Sequence, residues 1–316
     1  MKIVAVEPIN MSIAQGRYYE ELFASMGHHF ICFSDRNENV AVLKQRMKHA
    51  DAAIVSNIPL PADILSACPQ LKFISVAFTG TDHIDLEYCN DQGIEVRNAS
   101  GYATTAVAEL TIGLIIDLYR HITFLDSDVR KGGDRKQFLG HQIRGKVVGI
   151  VGTGAIGKET ALVLQALGCK ILAWDKIESK ELKEKGVKYL SLDELLSASD
   201  IISLHLPLTP ETTGIISADK IDLCKPSAII INTARGKIVN ISALAQALRN
   251  GKIAGAALDV YETEPPLPNT HPLLTAPNCL LVPHIGYATK EAFDARIEIV
   301  MKNVVDWQGK IIKTRE

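Results

Sequence analysis

The sequence predicts an α/β protein made of two doubly wound parallel sheets. Three observations carry this. Short β-branched runs alternate with longer helical patterns along almost the whole chain, and that alternation gives parallel sheets with helices on both faces. The alternation comes in two series, parted by Gly132, Gly133 and Gly140. A length of 316 residues also suits two domains at roughly 150 residues each.

In the first series Lys2–Val6, Phe30–Phe33, Ala52–Val55, Phe73–Val76 and Glu95–Arg97 read as strands, with amphipathic helices at Val40–His49 and Asp63–Ala67. Thr104–Arg130 is the longest helical pattern, and the expectation is one helix connecting the domains. Lys146–Val151 opens the second series as a near-continuous apolar run, as suits a strand buried on both faces. Gly157–Leu167 follows as a helix and Lys170–Trp174 as a strand. Asp200–His205, Ala228–Asn232, Gly255–Ala257 and Cys279–Val282 read as further strands, and Leu192–Leu196 and Ile241–Arg249 as helices. Lys290–Gln308 is helical by period and is expected to return to the first domain. The predicted organisation is a discontinuous domain, 1–101 and 288–316, interrupted by a second at 102–287.

Composition excludes several classes of function. With 34 Lys+Arg against 36 Asp+Glu and a net charge of −2, no basic tract marks a nucleic-acid site. Hydrophobic residues at 47% and charged residues at 22% fit a soluble globular chain. The strongly apolar run Leu110–Ile116 is flanked by Glu109 and Asp117, far short of the ~20 residues a membrane span needs. The start, Met-Lys-Ile-Val-Ala-Val-Glu, has no h-region, so a cytoplasmic location without membrane attachment is expected. The six cysteines are scattered with no CxxC pair. They read as reduced thiols, and no metal is expected.

Gly152-Thr-Gly154-Ala155-Ile156-Gly157 is a GxGxxG motif directly after a predicted strand and opening a predicted helix. In that context it reads as a Rossmann dinucleotide site. The first glycine permits the tight turn, the second lets backbone approach a pyrophosphate, and the third lets helix pack on strand. The amides of Ala155 and Ile156 would face the phosphates. Asp175 ends the next strand, 18 residues after Gly157, where an acid accepts from the adenosine ribose hydroxyls. A 2′-phosphate would meet like charge there, so NAD is expected rather than NADP. Lys176 reads as a solvated lysine.

Three later segments are hard to explain by packing: Arg235 just past an apolar strand, Asp259 to Pro265 with its acids and prolines, and His284 at the end of another apolar strand. Ligands of doubly wound sheets bind at the carboxyl ends of strands, where all three fall. A base, an acid to orient it and a fixed cation are what reversible carbonyl reduction requires.

With the GxGxxG at 152–157, His-Leu-Pro-Leu-Thr-Pro-Glu-Thr at 205–212, Asn-Thr-Ala-Arg-Gly at 232–236, Asp-Val-Tyr-Glu-Thr-Glu-Pro at 259–265 and Pro-His-Ile-Gly at 283–286, the sequence resembles the D-isomer-specific 2-hydroxyacid dehydrogenase family along essentially its whole length. The resemblance implies a Rossmann NAD-binding domain inserted into a flavodoxin-like substrate domain. It places the catalytic arginine on Arg235, the glutamate on Glu264 and the histidine on His284. Protonated His284 would donate to the forming alkoxide, Glu264 would hold its other ring nitrogen, and Arg235 would grip the carboxylate. Cofactor contacts are implied for Leu206, Pro207 and Thr212, for Thr233, Ala234 and Arg235, and for Asp259 near the carboxamide. Substrate contacts are implied for the Thr79 and Gly80 amides, for Phe78, and for Tyr102 and Tyr287, which match tyrosines of D-lactate dehydrogenases. These favour a small 2-oxo acid as partner, and the resemblance implies a homodimer built on the 104–130 helices. His205 reads as a structural histidine.

Phosphoglycerate or hydroxypyruvate chemistry shares every one of these catalytic residues. A non-catalytic NAD-sensing scaffold of the same fold is the reading from another class, disfavoured by the absence of long disordered tails and a basic tract.

Overall fold

The computed structural model describes residues 1–135 and 138–313, so positions 314–316 of the expected first-domain segment lie outside the described residues. The chain divides into two compact units, Met1–Ala103 with Ala288–Glu316, and Thr104–Tyr287.

The first unit alternates β1 (Lys2–Ala5), α1 (Ile13–Ser25), β2 (His29–Cys32), α2 (Val40–Met47), β3 (Ala52–Val55), α3 (Ala62–Leu65), β4 (Phe73–Val76), α4 (Leu86–Asp91) and β5 (Glu95–Asn98). Its strands pair in parallel in the order β2-β1-β3-β4-β5, the flavodoxin-like winding. Every residue of β3 and β4 is buried, which is why these runs are apolar on both faces. At the end of β1 the buried Glu7 accepts the amides of Ser56, Asn57 and Ile58 at 2.9, 3.0 and 3.0 Å, with Arg36 at 2.6 Å on its other oxygen. One carboxylate thus shapes the loop after β3.

The second unit runs α5 (Thr104–Arg120), α6 (Ile122–Val129), β6 (Val147–Val151), α7 (Ala155–Ala166), β7 (Lys170–Trp174), α8 (Lys180–Glu184), β8 (Lys188–Tyr189), α9 (Leu192–Ala198), β9 (Ile201–Leu204), α10 (Ala218–Asp222), β10 (Ile229–Asn232), α11 (Ile241–Arg249), β11 (Gly255–Leu258) and β12 (Cys279–Leu281). Its seven strands are parallel in the order β12-β11-β10-β9-β6-β7-β8. This is Rossmann order with one strand added beyond β11, and the winding reverses between β6 and β9. The last helix, α12 (Lys290–Lys313), belongs to the first unit. Ser75 on β4 donates to the Val300 carbonyl at 3.1 Å, and the Phe73 and Trp307 rings stack 4.9 Å apart.

One expectation is corrected. The single helix over 104–130 is two helices, because His121 adopts the left-handed region (φ 50°). Asp117 then accepts the Thr123 amide at 2.9 Å and the Thr123 hydroxyl, capping the new helix. The sequence reading also left out α1, α4, α8, α10 and the two-residue β8. Among the described residues no helix is long and apolar enough to cross a membrane.

Candidate active site

The glycine turn sits at the point where the winding reverses. Gly152 has φ 97°, and a Cβ on it would lie 2.7 Å from the His205 carbonyl oxygen. A Cβ on Gly157 would lie 2.0 Å from the Gly152 carbonyl oxygen, so both positions require glycine. The N-cap of α7 is Gly154, which has no side chain to cap the helix, and a Cβ on it would meet nothing within 4 Å. The helix start where Ala155 and Ile156 carry their amides therefore opens onto free space. Uncapped amides at a helix N-terminus are what a pyrophosphate needs, so these residues fit a dinucleotide. Asp175, half-buried just past β7, accepts the Thr153 amide at 2.5 Å and the Thr153 hydroxyl at 3.1 Å on Oδ2, and the Ile177 amide at 3.3 Å on Oδ1.

The loop after β9 is braced from within. The Thr212 hydroxyl donates to the Pro207 carbonyl at 2.7 Å and accepts the Thr209 amide at 2.8 Å. Leu206 is buried in the core and would touch a Cβ on Gly152 at 3.0 Å. His205 pairs its Nε2 with Ser203 at 2.8 Å, and desolvation pushes its pKa down to about 4. The ring stays neutral and structural.

The turn after β10 is shaped by Asn232, which is wholly buried. Its side chain accepts the Ala234 amide and donates to the Arg235 carbonyl, both at 3.0 Å. Thr111 on α5 gives its proton to the Val107 carbonyl, so the Thr233 hydroxyl is the donor in its 3.0 Å bond to Thr111. Arg235 is half-buried and extended, with Nη1 on the Ala234 carbonyl at 2.8 Å. A Cβ on Gly236 would fall 1.9 Å from the Tyr261 carbonyl carbon. That glycine presses the arginine turn against the 261–262 backbone.

Past β12, His284 takes a left-handed backbone (φ 55°), an uncommon state for a non-glycine residue. Asp259 at the end of β11 stabilises it. Its carboxylate is 1% exposed and accepts the Ile285 amide at 2.6 Å and the Gly286 amide at 2.8 Å. Burial raises the Asp259 pKa, and the two amides and the nearby His284 oppose that rise. Both observed partners of Asp259 are thus backbone groups of the histidine turn. His284 Nδ1 lies 2.8 Å from Glu264 Oε1, and its ring meets Tyr287 edge-on at 5.4 Å. Tyr261 locks the supporting strands by donating its hydroxyl to the Val282 carbonyl at 2.9 Å.

The structure therefore brings His284 and Glu264 into direct contact, and sets Arg235 and Asp259 at the carboxyl ends of the neighbouring β10 and β11. Phe78, Thr79, Gly80 and Tyr102 lie in the first unit. There the rings of Phe78 and Tyr102 meet edge-on at 6.3 Å, and Asn98 holds the Thr79 carbonyl at 2.6 Å. The Arg296 guanidinium lies over both rings, at 5.6 and 5.9 Å. Sequence reasoning passed over Asn232, Tyr261 and Gly236, although all three stand inside the 232–236 and 259–265 motifs. Among the described residues no group of three or more His, Cys, Asp or Glu could hold a metal ion.

Residues 112–286 match the model of the D-isomer specific 2-hydroxyacid dehydrogenase NAD-binding domain. The chain is 36% identical over 269 residues to a hydroxypyruvate reductase of Blautia hydrogenotrophica, covering 83% of each chain. It is 39% identical over 274 residues to a glyoxylate reductase of Thermococcus litoralis, covering 84% of this chain and 82% of that one. The structure of a D-lactate dehydrogenase from Aquifex aeolicus, complexed with NAD and lactic acid, superposes with a TM-score of 0.85 at 31% identity, over 99% of this chain and 97% of that one. The chain belongs to the D-isomer specific 2-hydroxyacid dehydrogenase family, oxidoreductases that act on a CH–OH group with a nicotinamide cofactor.

Proposed function

We propose that this protein reduces a small 2-oxo acid to the D-2-hydroxy acid with NADH, using His284, Glu264 and Arg235. The His284–Glu264 bond of 2.8 Å carries the reading. With Nδ1 committed to the carboxylate, the ring's tautomer is set and Nε2 is the atom left to move a proton. Protonated, Nε2 donates to the carbonyl oxygen as it becomes a hydroxyl. In the reverse direction the neutral ring takes that proton back. The Arg235 guanidinium binds the carboxylate in fork geometry while polarising the carbonyl. The nicotinamide, when bound, supplies the hydride. The GxGxxG amides hold its pyrophosphate, Asp175 favours NAD over NADP, and the turns at 206–212 and 233–235 flank it. We assign Phe78, Thr79, Gly80, Tyr102 and Tyr287 to substrate contacts. The domain bounded by Thr104 and Tyr287 is then the NAD-binding one.

The second reading, hydroxypyruvate or glyoxylate as substrate, is favoured by the names of the two sequence relatives. We also propose a homodimer through α6, whose Ile122, Phe124 and Val129 are exposed large apolar residues, together with the nearby Leu139.

The test is NADH oxidation with pyruvate, 2-oxobutyrate, phenylpyruvate, glyoxylate, hydroxypyruvate and 3-phosphohydroxypyruvate. Turnover with one or more small members is expected, and none with any would favour a sensor. His284→Asn should lower kcat by about 10²–10⁴ and leave NADH affinity within about twofold. An equal loss of both would refute the assigned role.

A further inference from the structure

Asp175 does not stand alone. The Tyr189 hydroxyl on β8 donates to Thr153 Oγ1 at 3.0 Å, and Thr153 in turn donates to Asp175 Oδ2 at 3.1 Å. The Ser179 amide, at the N-cap of α8, donates to the Tyr189 oxygen at 2.8 Å. The two ends of this chain settle its direction. An amide can only donate and a carboxylate can only accept, so each hydroxyl proton between them points towards Asp175. The Thr153 amide adds a second donor to the same oxygen at 2.5 Å.

The consequence is a pinned carboxylate. Oδ2 is committed to Thr153 twice, and Oδ1 accepts the Ile177 amide at the longer distance of 3.3 Å, with a lone pair left for a ribose hydroxyl. Rotation about the carboxyl bond would break two bonds to Thr153, one of them supported by Tyr189. An acid free to turn can move its charge from an incoming 2′-phosphate, whereas a pinned one cannot. We infer that Tyr189 and Thr153 are positioning residues for cofactor choice, fixing the Asp175 carboxylate so that it accepts a ribose hydroxyl and repels a 2′-phosphate. This rests on the reading of Asp175 as the ribose acid. Nothing in the GxGxxG pattern requires a hydroxyl between its first two glycines, nor a tyrosine 14 residues beyond Asp175. The device belongs to this chain's own residues.

The experiment is direct binding of NADH and NADPH, by quenching of intrinsic fluorescence or by calorimetry, to the wild type and to Tyr189→Phe, Thr153→Val, Thr153→Ser and Asp175→Ala. Tyr189→Phe and Thr153→Val should each weaken NADH about 3–10-fold, the scale of one hydrogen bond, and leave NADPH unchanged or tighter. The NADPH-to-NADH Kd ratio then falls in both. Thr153→Ser, which keeps the hydroxyl, should retain the wild-type ratio. Saturating kcat should stay within about twofold in Tyr189→Phe. If Asp175→Ala collapses the ratio while Tyr189→Phe and Thr153→Val keep it, the inference is overturned and the ribose reading stands. If Asp175→Ala keeps the ratio, the ribose reading falls and takes the inference with it.

Discussion

His284 is held by three different kinds of contact: a carboxylate on its ring, an aromatic edge beside it, and an acid beneath its backbone. The third, Asp259, could not be read from sequence as a support for the histidine. A strand-end aspartate followed by a glutamate-rich loop gives no sign that its partners are amides 26 and 27 residues later. His284, Glu264 and Arg235 were legible because their types and order make a motif. Asn232 was not, because a buried amide that shapes a turn reads like any other polar residue beside a strand. His205 gives a pH prediction at this scale. Its pKa is held at about 4 against an ordinary 6.5, so the unfolded chain takes up a proton first as pH falls. The contribution to stability is complete above pH 6.5 and is lost between 6.5 and about 4, to the extent of roughly 3 kcal/mol. In His205→Gln the fall in urea midpoint across that window should be shallower than in wild type. A second prediction concerns Gly236. With the Tyr261 carbonyl carbon 1.9 Å from its Cβ position, Gly236→Ala has to move backbone against backbone. That should displace Arg235, cutting kcat/KM by at least about tenfold with NADH affinity less affected.

The strands were easier to anticipate than the helices, and the reason is burial. A parallel strand covered on both faces is a short apolar run, as β3, β4, β9 and β10 all are. The helix α1 buries only Phe23 completely and carries Gly16 in its interior, so its period is faint. Its one strong signal was the Ser12–Gln15 capping box, in which each side chain bonds the other's backbone. The two-residue β8 is too short to have a period at all. The break at His121 was hidden because neither glycine nor proline marks it. It depends on Asp117, which caps α6 from inside the preceding helix. Asp117→Ala should therefore cost about 1 kcal/mol and reduce helicity in circular dichroism by roughly the two turns of α6. An unchanged spectrum and midpoint would remove Asp117 from that role.

At the scale of the whole molecule, the proposed dimer makes a mass prediction. Light scattering should return twice the chain mass for wild type. Phe124→Glu, a charge placed on a side chain 65% exposed, should return one chain. A wild-type monomer would end that proposal. The two parallel α/β sheets were legible because they follow from the alternation of periods, whereas their Rossmann and flavodoxin-like windings were legible only through the family resemblance, since connection rules narrow strand order without fixing it. The flavodoxin-like unit is also made from two distant stretches of chain: Trp307 stacks on Phe73, and Ser75 bonds Val300. On a ribosome, with residues emerging from the amino end, that sheet would wait with one flank bare until α12 was translated. Every strand of the Rossmann unit would be out before then. The half encoded first is thus the half completed last, and a nascent chain halted before residue 290 should offer a chaperone the apolar flank of β4.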